Sequence, residues 1–319
     1  MMVPTQPGAE SLLWDAGVPY ELAGTVGIIP RGPRDPAARV AHGTVWFAFN
    51  TPSGPATLHL SMATTTAVRA TAWGLGTASA LAGVPALLGG GDDWSGFDEP
   101  GFHATLPRLA TQARRRHPGL RLPATGRMVD ALIPAVLEQK VTAIEAHRGY
   151  RYLVAKFGSP APGIGPGSPV PADLVVAPTP EQWARIPSWE WHKAGVGPQR
   201  SATVMRLLRA ASALERLAAV DAVEAAAKLQ TIPGIGIWTA AEATQRTHGD
   251  ADAVAVGDYH LAKFVGWALA GKPVDDAGML ALLEPWLGHR QRVVRMLMLS
   301  GFRKPAFGPR MTIQDHRRH

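Results

Sequence analysis

The chain has 319 residues, of which 46% are apolar and 18% charged, so it holds enough core-forming side chains for two or three domains and is not generally disordered. A net charge of +7 suits a polyanionic partner. The complete lack of Cys excludes disulfides and thiol catalysis and fits a reducing compartment, so a cytoplasmic location is expected.

Residues 1–7 lack a basic stretch followed by an apolar core, so no signal peptide is expected. No apolar run is long enough to span a bilayer, and no membrane partner is expected. Residues 22–29 and 43–50 are short β-branched and aromatic runs that predict strands. The second leads through Thr51-Pro52-Ser53-Gly54-Pro55 into residues 56–62, which predicts a hairpin, and residues 65–73 predict a further strand. Residues 77–88 predict a small helix, weakened by Gly83 and Pro85. Residues 1–100 are therefore expected to form an α+β domain with an antiparallel sheet, acting as a structural flank.

From about His103 the pattern turns helical, and residues 101–319 are expected to form an all-helical region, making the chain mainly α. Thr142-Ala143-Ile144-Glu145 reads as a capping box, and Asp221-Ala222-Val223-Glu224 as its Asp variant. Thr179-Pro180-Glu181-Gln182 places Pro at a first helical position. Residues 158–171, rich in Pro, Gly and Ser, predict a flexible loop inserted between helices. Residues 198–219 predict one long helix with Val204, Leu207, Leu208, Ala211 and Leu214 on a single face. The basic runs Arg114-Arg115-Arg116-His117 and His316-Arg317-Arg318-His319 read first as a solvated helix face and a loose tail, and second as phosphate contacts.

The most informative segment is Leu229-Gln230-Thr231-Ile232-Pro233-Gly234-Ile235-Gly236-Ile237-Trp238-Thr239-Ala240-Ala241. Pro233 has no N–H and disfavours helical geometry in the residue before it, so an incoming helix must stop. Gly234 and Gly236 let the backbone turn tightly, and helix resumes at about Trp238. The first amides of that second helix have no internal partner and lie at the positive end of its dipole, where a phosphate is favoured. By itself Pro-Gly-x-Gly is only an ordinary tight turn.

Asp258, in Val256-Gly257-Asp258-Tyr259-His260, precedes the periodic run Leu261, Phe264, Val265, Ala268 and Leu269. An N-cap role alone would justify an Asp there. The two roles are compatible, because N–H hydrogen bonds to a carboxylate favour its charged form.

Together these residues resemble the helix-hairpin-helix DNA glycosylases, in particular the 3-methyladenine glycosylase II branch that removes alkylated purines. The matching pattern is Pro233-Gly234-Ile235-Gly236, then Trp238-Thr239-Ala240, then Asp258 one helix and one loop later. Two further segments match in the same order: Ala135-Val136-Leu137-Glu138-Gln139-Lys140-Val141-Thr142 upstream, and Glu284-Pro285-Trp286-Leu287-Gly288-His289-Arg290 before the last apolar helix.

The resemblance implies Asp258 as the catalytic carboxylate, with Trp238 and Met298 in the base pocket and Gln139 and Lys140 filling the vacated stack. It implies that Thr231, Pro233, Gly234, Ile235, Gly236, Thr239 and Arg290 hold the DNA backbone. The expected activity is monofunctional excision of bases such as 3-methyladenine or 7-methylguanine from damaged double-stranded DNA by a monomer. An enzyme for deaminated or oxidised purines and a non-catalytic lesion-binding protein are the alternatives. Strand-cleaving relatives carry Lys where this chain has Trp238, so no lyase step is expected. The iron–sulfur cluster of some relatives needs four Cys that are absent here. No cofactor is implied beyond a monovalent cation at the hairpin carbonyls, near Thr231 to Gly236.

Overall fold

The computed structural model describes residues 8–305. The expectations for residues 1–7 and for the basic run 316–319 lie outside the described residues.

Five antiparallel strands form one sheet: β1 (Ala9–Asp15), β2 (Ala38–Ala41), β3 (Thr44–Thr51), β4 (Gly54–Met62) and β5 (Ala67–Trp73), in the order β1-β5-β4-β3-β2. The β3–β4 hairpin pairs Thr51 with Gly54, as the turn residues predict. Alternation along β3 sends Val45, Phe47 and Phe49 to one face, where Leu58, Leu60, Val68, Val84 and Leu88 meet them. Trp46 and Ala48 point to the other face.

Three expectations are corrected in this half and its cover. Residues 22–29 form no strand; Leu22–Val26 is a short helix, because Leu22 and Val26 are four residues apart and both are buried. The helix expected over 77–88 is split at Gly83 into Thr77–Ala82 and Val84–Leu87. Residues 158–171 are not a loose insertion. Ala161 and Val170 are buried with Leu174 and Val176 against Trp46 and Trp73, so this segment covers the second face of the sheet. Its main chain also pairs Ser159–Pro160 with Val175–Val176.

The helical half contains α1 (Arg108–Arg116), α2 (Met128–Leu137), α3 (Ala143–Phe157), α4 (Pro198–Arg209), α5 (Ala222–Gln230), α6 (Ile237–Thr247), α7 (Leu261–Ala270), α8 (Asp276–Leu283) and α9 (Arg290–Leu299). Both reciprocal bonds of the Thr142/Glu145 and Thr179/Gln182 capping boxes are present. Asp221 caps α5 through the Val223 amide alone, at 2.8 Å. The long helix expected over 198–219 breaks at Ala210 and continues as Ala211–Arg216, yet Val204, Leu207, Leu208 and Leu214 are buried as the periodicity predicts.

Two apolar clusters hold these helices together. One gathers Leu132, Val136, Leu153, Val204, Leu207, Leu229 and Ile235; the other gathers Val254, Leu261, Val265, Met279, Leu283, Val293 and Leu297. Each such fully buried side chain contributes on the order of 1.5–3 kcal/mol. Helix α6 lies between the clusters, giving Ala240 and Ala243 to the first and Ala241 to the second. The hairpin helix is thereby fixed by both.

Candidate active site and nucleic-acid interface

Helix α5 ends where Pro233 requires it to, with Thr231 Oγ1 donating to the Lys228 carbonyl at 2.7 Å. The chain then turns through Gly234 at φ +97°, and Ile235 is buried in the first cluster. A side chain at Gly234 would meet Thr203 Oγ1 at 2.4 Å, so glycine is required there for both conformation and space. A Cβ on Gly236 would meet nothing within 4 Å, so that side of the turn is open.

The carbonyls of the turn are occupied by side chains from two other elements. Gln139 Nε2 donates to the Gly234 carbonyl at 3.0 Å, and Arg206 Nη1 donates to that of Pro233 at 3.1 Å. The amides of Gly236, Ile237 and Trp238 find no acceptor among the described residues, and no side chain caps α6. The turn therefore presents N–H groups, the positive end of α6 and the Arg206 charge to an anion. The Pro233 and Gly234 carbonyls each accept one side-chain hydrogen bond, and no step is derived through the cation that the resemblance implies. No group of three or more His, Asp or Glu among the described residues is placed to hold a metal.

Trp238 is half-buried and packs against the second apolar cluster. The loop carrying Asp258 passes beside it: a Cβ on Gly257 would lie 3.9 Å from Trp238 Cβ. Gly257 takes φ +93°, and Asp258 Oδ1 accepts the amides of His260 at 2.7 Å and Leu261 at 2.8 Å. Asp258 thus caps the start of α7 with one oxygen. Its Oδ2 accepts no hydrogen bond from any described residue, and the side chain is half-buried. Exposed Tyr259 comes next in the chain, with Lys263 Nζ 5.1 Å from that ring's centre. A carboxylate with one fixed and one available oxygen can stand beside a developing positive charge without shifting.

The remaining expected site residues divide. Thr239 is buried and accepts a hydrogen bond from Gln139 Nε2 at 2.8 Å on Oγ1. Gln139 is therefore bound to the hairpin, whereas the other residue expected to fill the stack, Lys140, is not held there. Lys140 is exposed and holds φ +57°, unusual for a residue with a side chain. Met298 is 51% exposed on α9, while Met296 is fully buried in the core; a shielded pocket wall at Met298 is not present.

Arg290 is also corrected. Its Nε and Nη2 grip Asp252 at 2.9 and 2.6 Å, and Asp252 Oδ1 also accepts the amides of Gly288 and Arg290, so this guanidinium orders the loop before α9. In the first basic run, Arg114 pairs with Asp98 at 2.6 Å and covers the Trp94 ring, which commits it to structure. Sequence reasoning missed Arg206 and Asp252, because their contacts span 27 and 38 residues and follow no periodicity. A partly open cavity of about 60 Å³ lies between sheet and helices, lined in part by Arg31, Asp35, Phe49, Asp130 and Tyr150. It has room for a few waters, and neither Trp238 nor Asp258 lines it.

No family model and no curated protein matches the chain in sequence. Solved structures do match over nearly its whole length. A 3-methyladenine DNA glycosylase from Archaeoglobus fulgidus aligns with TM-score 0.69 and 13% identity, covering 90% of this chain and 97% of its own. The apo form of a Clostridium acetobutylicum 8-oxoguanine glycosylase/lyase aligns with TM-score 0.67 and 11% identity, covering 91% and 96%. MBOgg1 in complex with a low affinity DNA ligand aligns with TM-score 0.66 and 13% identity, covering 94% and 97%. With its N-terminal antiparallel sheet, its helical body and its glycine-turned hairpin ahead of a capping Asp, this chain has the fold of the helix-hairpin-helix DNA glycosylases.

Proposed function

We propose that the protein is a monofunctional DNA glycosylase that excises alkylated purines from double-stranded DNA. The observation that carries this reading is Asp258, one carboxylate oxygen committed to the start of α7 and the other available, beside Trp238 on the helix whose amides face open space. The hairpin would hold a phosphate through main-chain N–H groups, which positions DNA without reading its sequence. Extruding a base costs a few kcal/mol, least for a damaged one, and Lys140 would occupy the gap. A cationic N-alkylpurine would gain from the Trp238 face, by about 0.5–2 kcal/mol. Such a base already leaves readily. Asp258 then has only to stabilise the oxocarbenium-like sugar and direct water to it.

An indole cannot form a Schiff base, so Trp238 supports hydrolysis without a lyase step. A second reading, an enzyme for oxidised purines, is favoured by fold likeness to an 8-oxoguanine glycosylase/lyase that is close to the likeness to the 3-methyladenine enzyme. Purified protein incubated with duplexes bearing 3-methyladenine, 7-methylguanine, hypoxanthine or 8-oxoguanine, and then treated with alkali, separates the two. Alkali-labile breaks are expected in the methylated duplexes, with no break before alkali and no borohydride-trapped adduct. Release of 8-oxoguanine alone would transfer the assignment to the second reading, and release of nothing would leave a lesion-binding protein.

A further inference from the structure

A buried charge cluster joins the N-terminal layer to the turn carrying Lys140, and base excision as derived from Asp258 and Trp238 does not use it. Arg31, 5% exposed, lies in the segment between the first short helix and β2. Its Nη1 stands 3.3 Å from Glu138 Oε2 and 3.9 Å from Glu242 Oε2. Glu242 is also bonded by Arg246 at 2.8 Å, and Arg246 Nε reaches back to the Ile28 carbonyl at 3.0 Å. His147 Nε2 lies 3.3 Å from Glu138 Oε1. Arg31 Nη2 donates to the Ala131 carbonyl in α2 at 3.2 Å. Pro134, within the same helix, has no N–H to give the Asp130 carbonyl, one residue before the carbonyl that Arg31 holds.

The cluster gains its meaning from the turn just beyond Glu138. The Leu137 carbonyl is held by Arg200 Nη1 at 2.6 Å, Glu138 by Arg31, and Gln139 by the hairpin. The Thr142/Glu145 capping box fixes the far side. Lys140 thus projects from a turn secured on both sides, the support that an inserting side chain requires. Glu242, one helical turn after Trp238, carries the same cluster to the face of α6 that bears the indole.

We propose that Arg31 is a positioning residue for base extrusion, acting through Glu138 to hold the turn from which Lys140 enters the duplex. This inference rests on the glycosylase reading. It makes the N-terminal layer a working part of the site. A purely stabilising ion pair would behave differently, because replacing both buried partners by apolar residues restores stability where removing one does not.

The test uses the full chain as wild type, Arg31→Met and the double variant Arg31→Met with Glu138→Met. Three quantities are read: thermal stability, single-turnover excision from 7-methylguanine duplex, and fluorescence of a 2-aminopurine placed in a duplex to report unstacking. Arg31→Met is expected to lower all three. The double variant is expected to regain thermal stability, yet to stay roughly ten- to a hundredfold slow and give a weak aminopurine signal. Recovery of rate and fluorescence together with stability would overturn the proposal. So would full fluorescence from a double variant that stays unstable, measured below its melting point. If the wild type excises no base, the glycosylase reading fails, and the aminopurine comparison still judges Arg31 independently.

Discussion

The Gln139 amide lies 2.8 Å from Thr239 Oγ1, and this hydrogen bond ties the Lys140 turn to the glycine-turned hairpin across 100 residues of chain. The same nitrogen bonds the Gly234 carbonyl, so one side chain fixes both the turn and the start of α6. Gln139→Ala leaves Thr239, 2% exposed, without that donor. A stability loss of about 1–2 kcal/mol in urea denaturation is expected, with slower single-turnover excision. Unchanged excision at lowered stability would mean that the bond serves folding alone.

Substitution separates the cap that Asp258 forms from the catalytic role proposed for it. Asp258→Asn keeps an acceptor for the His260 and Leu261 amides but loses the charge. Excision should fall by about 10²–10³-fold while stability stays nearly constant. Asp258→Ala removes the cap too and should cost about 1 kcal/mol more. Equal activity in Asp258→Asn and wild type would remove this residue from the chemistry.

Gly234→Ala places a methyl 2.4 Å from Thr203 Oγ1 at a backbone φ of +97°. The expected loss is about 1–3 kcal/mol from backbone strain, plus the steric conflict. Adding Thr203→Ala should recover the steric part and leave the conformational part. Chemical denaturation of the three variants checks this, and fluorescence anisotropy with duplex DNA should show weaker binding for Gly234→Ala.

Arg206 and Arg290 should give opposite phenotypes. Arg206 is exposed and bonds the Pro233 carbonyl without a carboxylate among its described hydrogen-bond partners. Arg206→Gln should weaken binding to any duplex and reduce the log–log salt slope by about one, at little cost in stability. Arg290→Gln breaks the grip on Asp252 and should cost about 1–2 kcal/mol while leaving the salt slope intact. Binding titrations at several salt concentrations, beside denaturation curves, distinguish them.

Hydrogen bonds from Lys156 and Tyr152, joined by the charge of Lys193, hold the Glu190 carboxyl down at about 2, below its ordinary value of 4.5. A carboxyl depressed by folding stabilises the native state above its unfolded pKa, and that contribution fades as pH falls from 4.5 toward 2. Glu190→Gln should therefore flatten the acid side of the stability profile in that window. Denaturation midpoints for both proteins from pH 5 to 2 make the comparison; parallel profiles would count against it.

The hairpin is legible in the sequence because its constraints are local: Pro233 ends a helix, Gly234 turns it, and the free amides after Gly236 come with the geometry of any helix start. Asp258 is legible as a cap for the same reason. The roles of Gln139 and Arg290 are not, since each depends on a partner far along the chain, at Thr239 and at Asp252. Strand β1 is hard to see because its inward Leu12 and Trp14 flank an outward Leu13, 55% exposed, which blurs the alternation. Residues 158–171 look loose because Pro and Gly forbid regular structure, although they do not prevent burial of Ala161 and Val170.

Helix α6 is wedged between two separate apolar bodies, touching one through Ala240 and Ala243 and the other through Ala241. Small side chains on both flanks leave it no slack, and close-packed interiors yield little to strain. A protein so braced has scant freedom to fold itself around a cargo. On the proposed reading, the distortion needed to bring a base out would fall on the softer of the two bodies, the double helix.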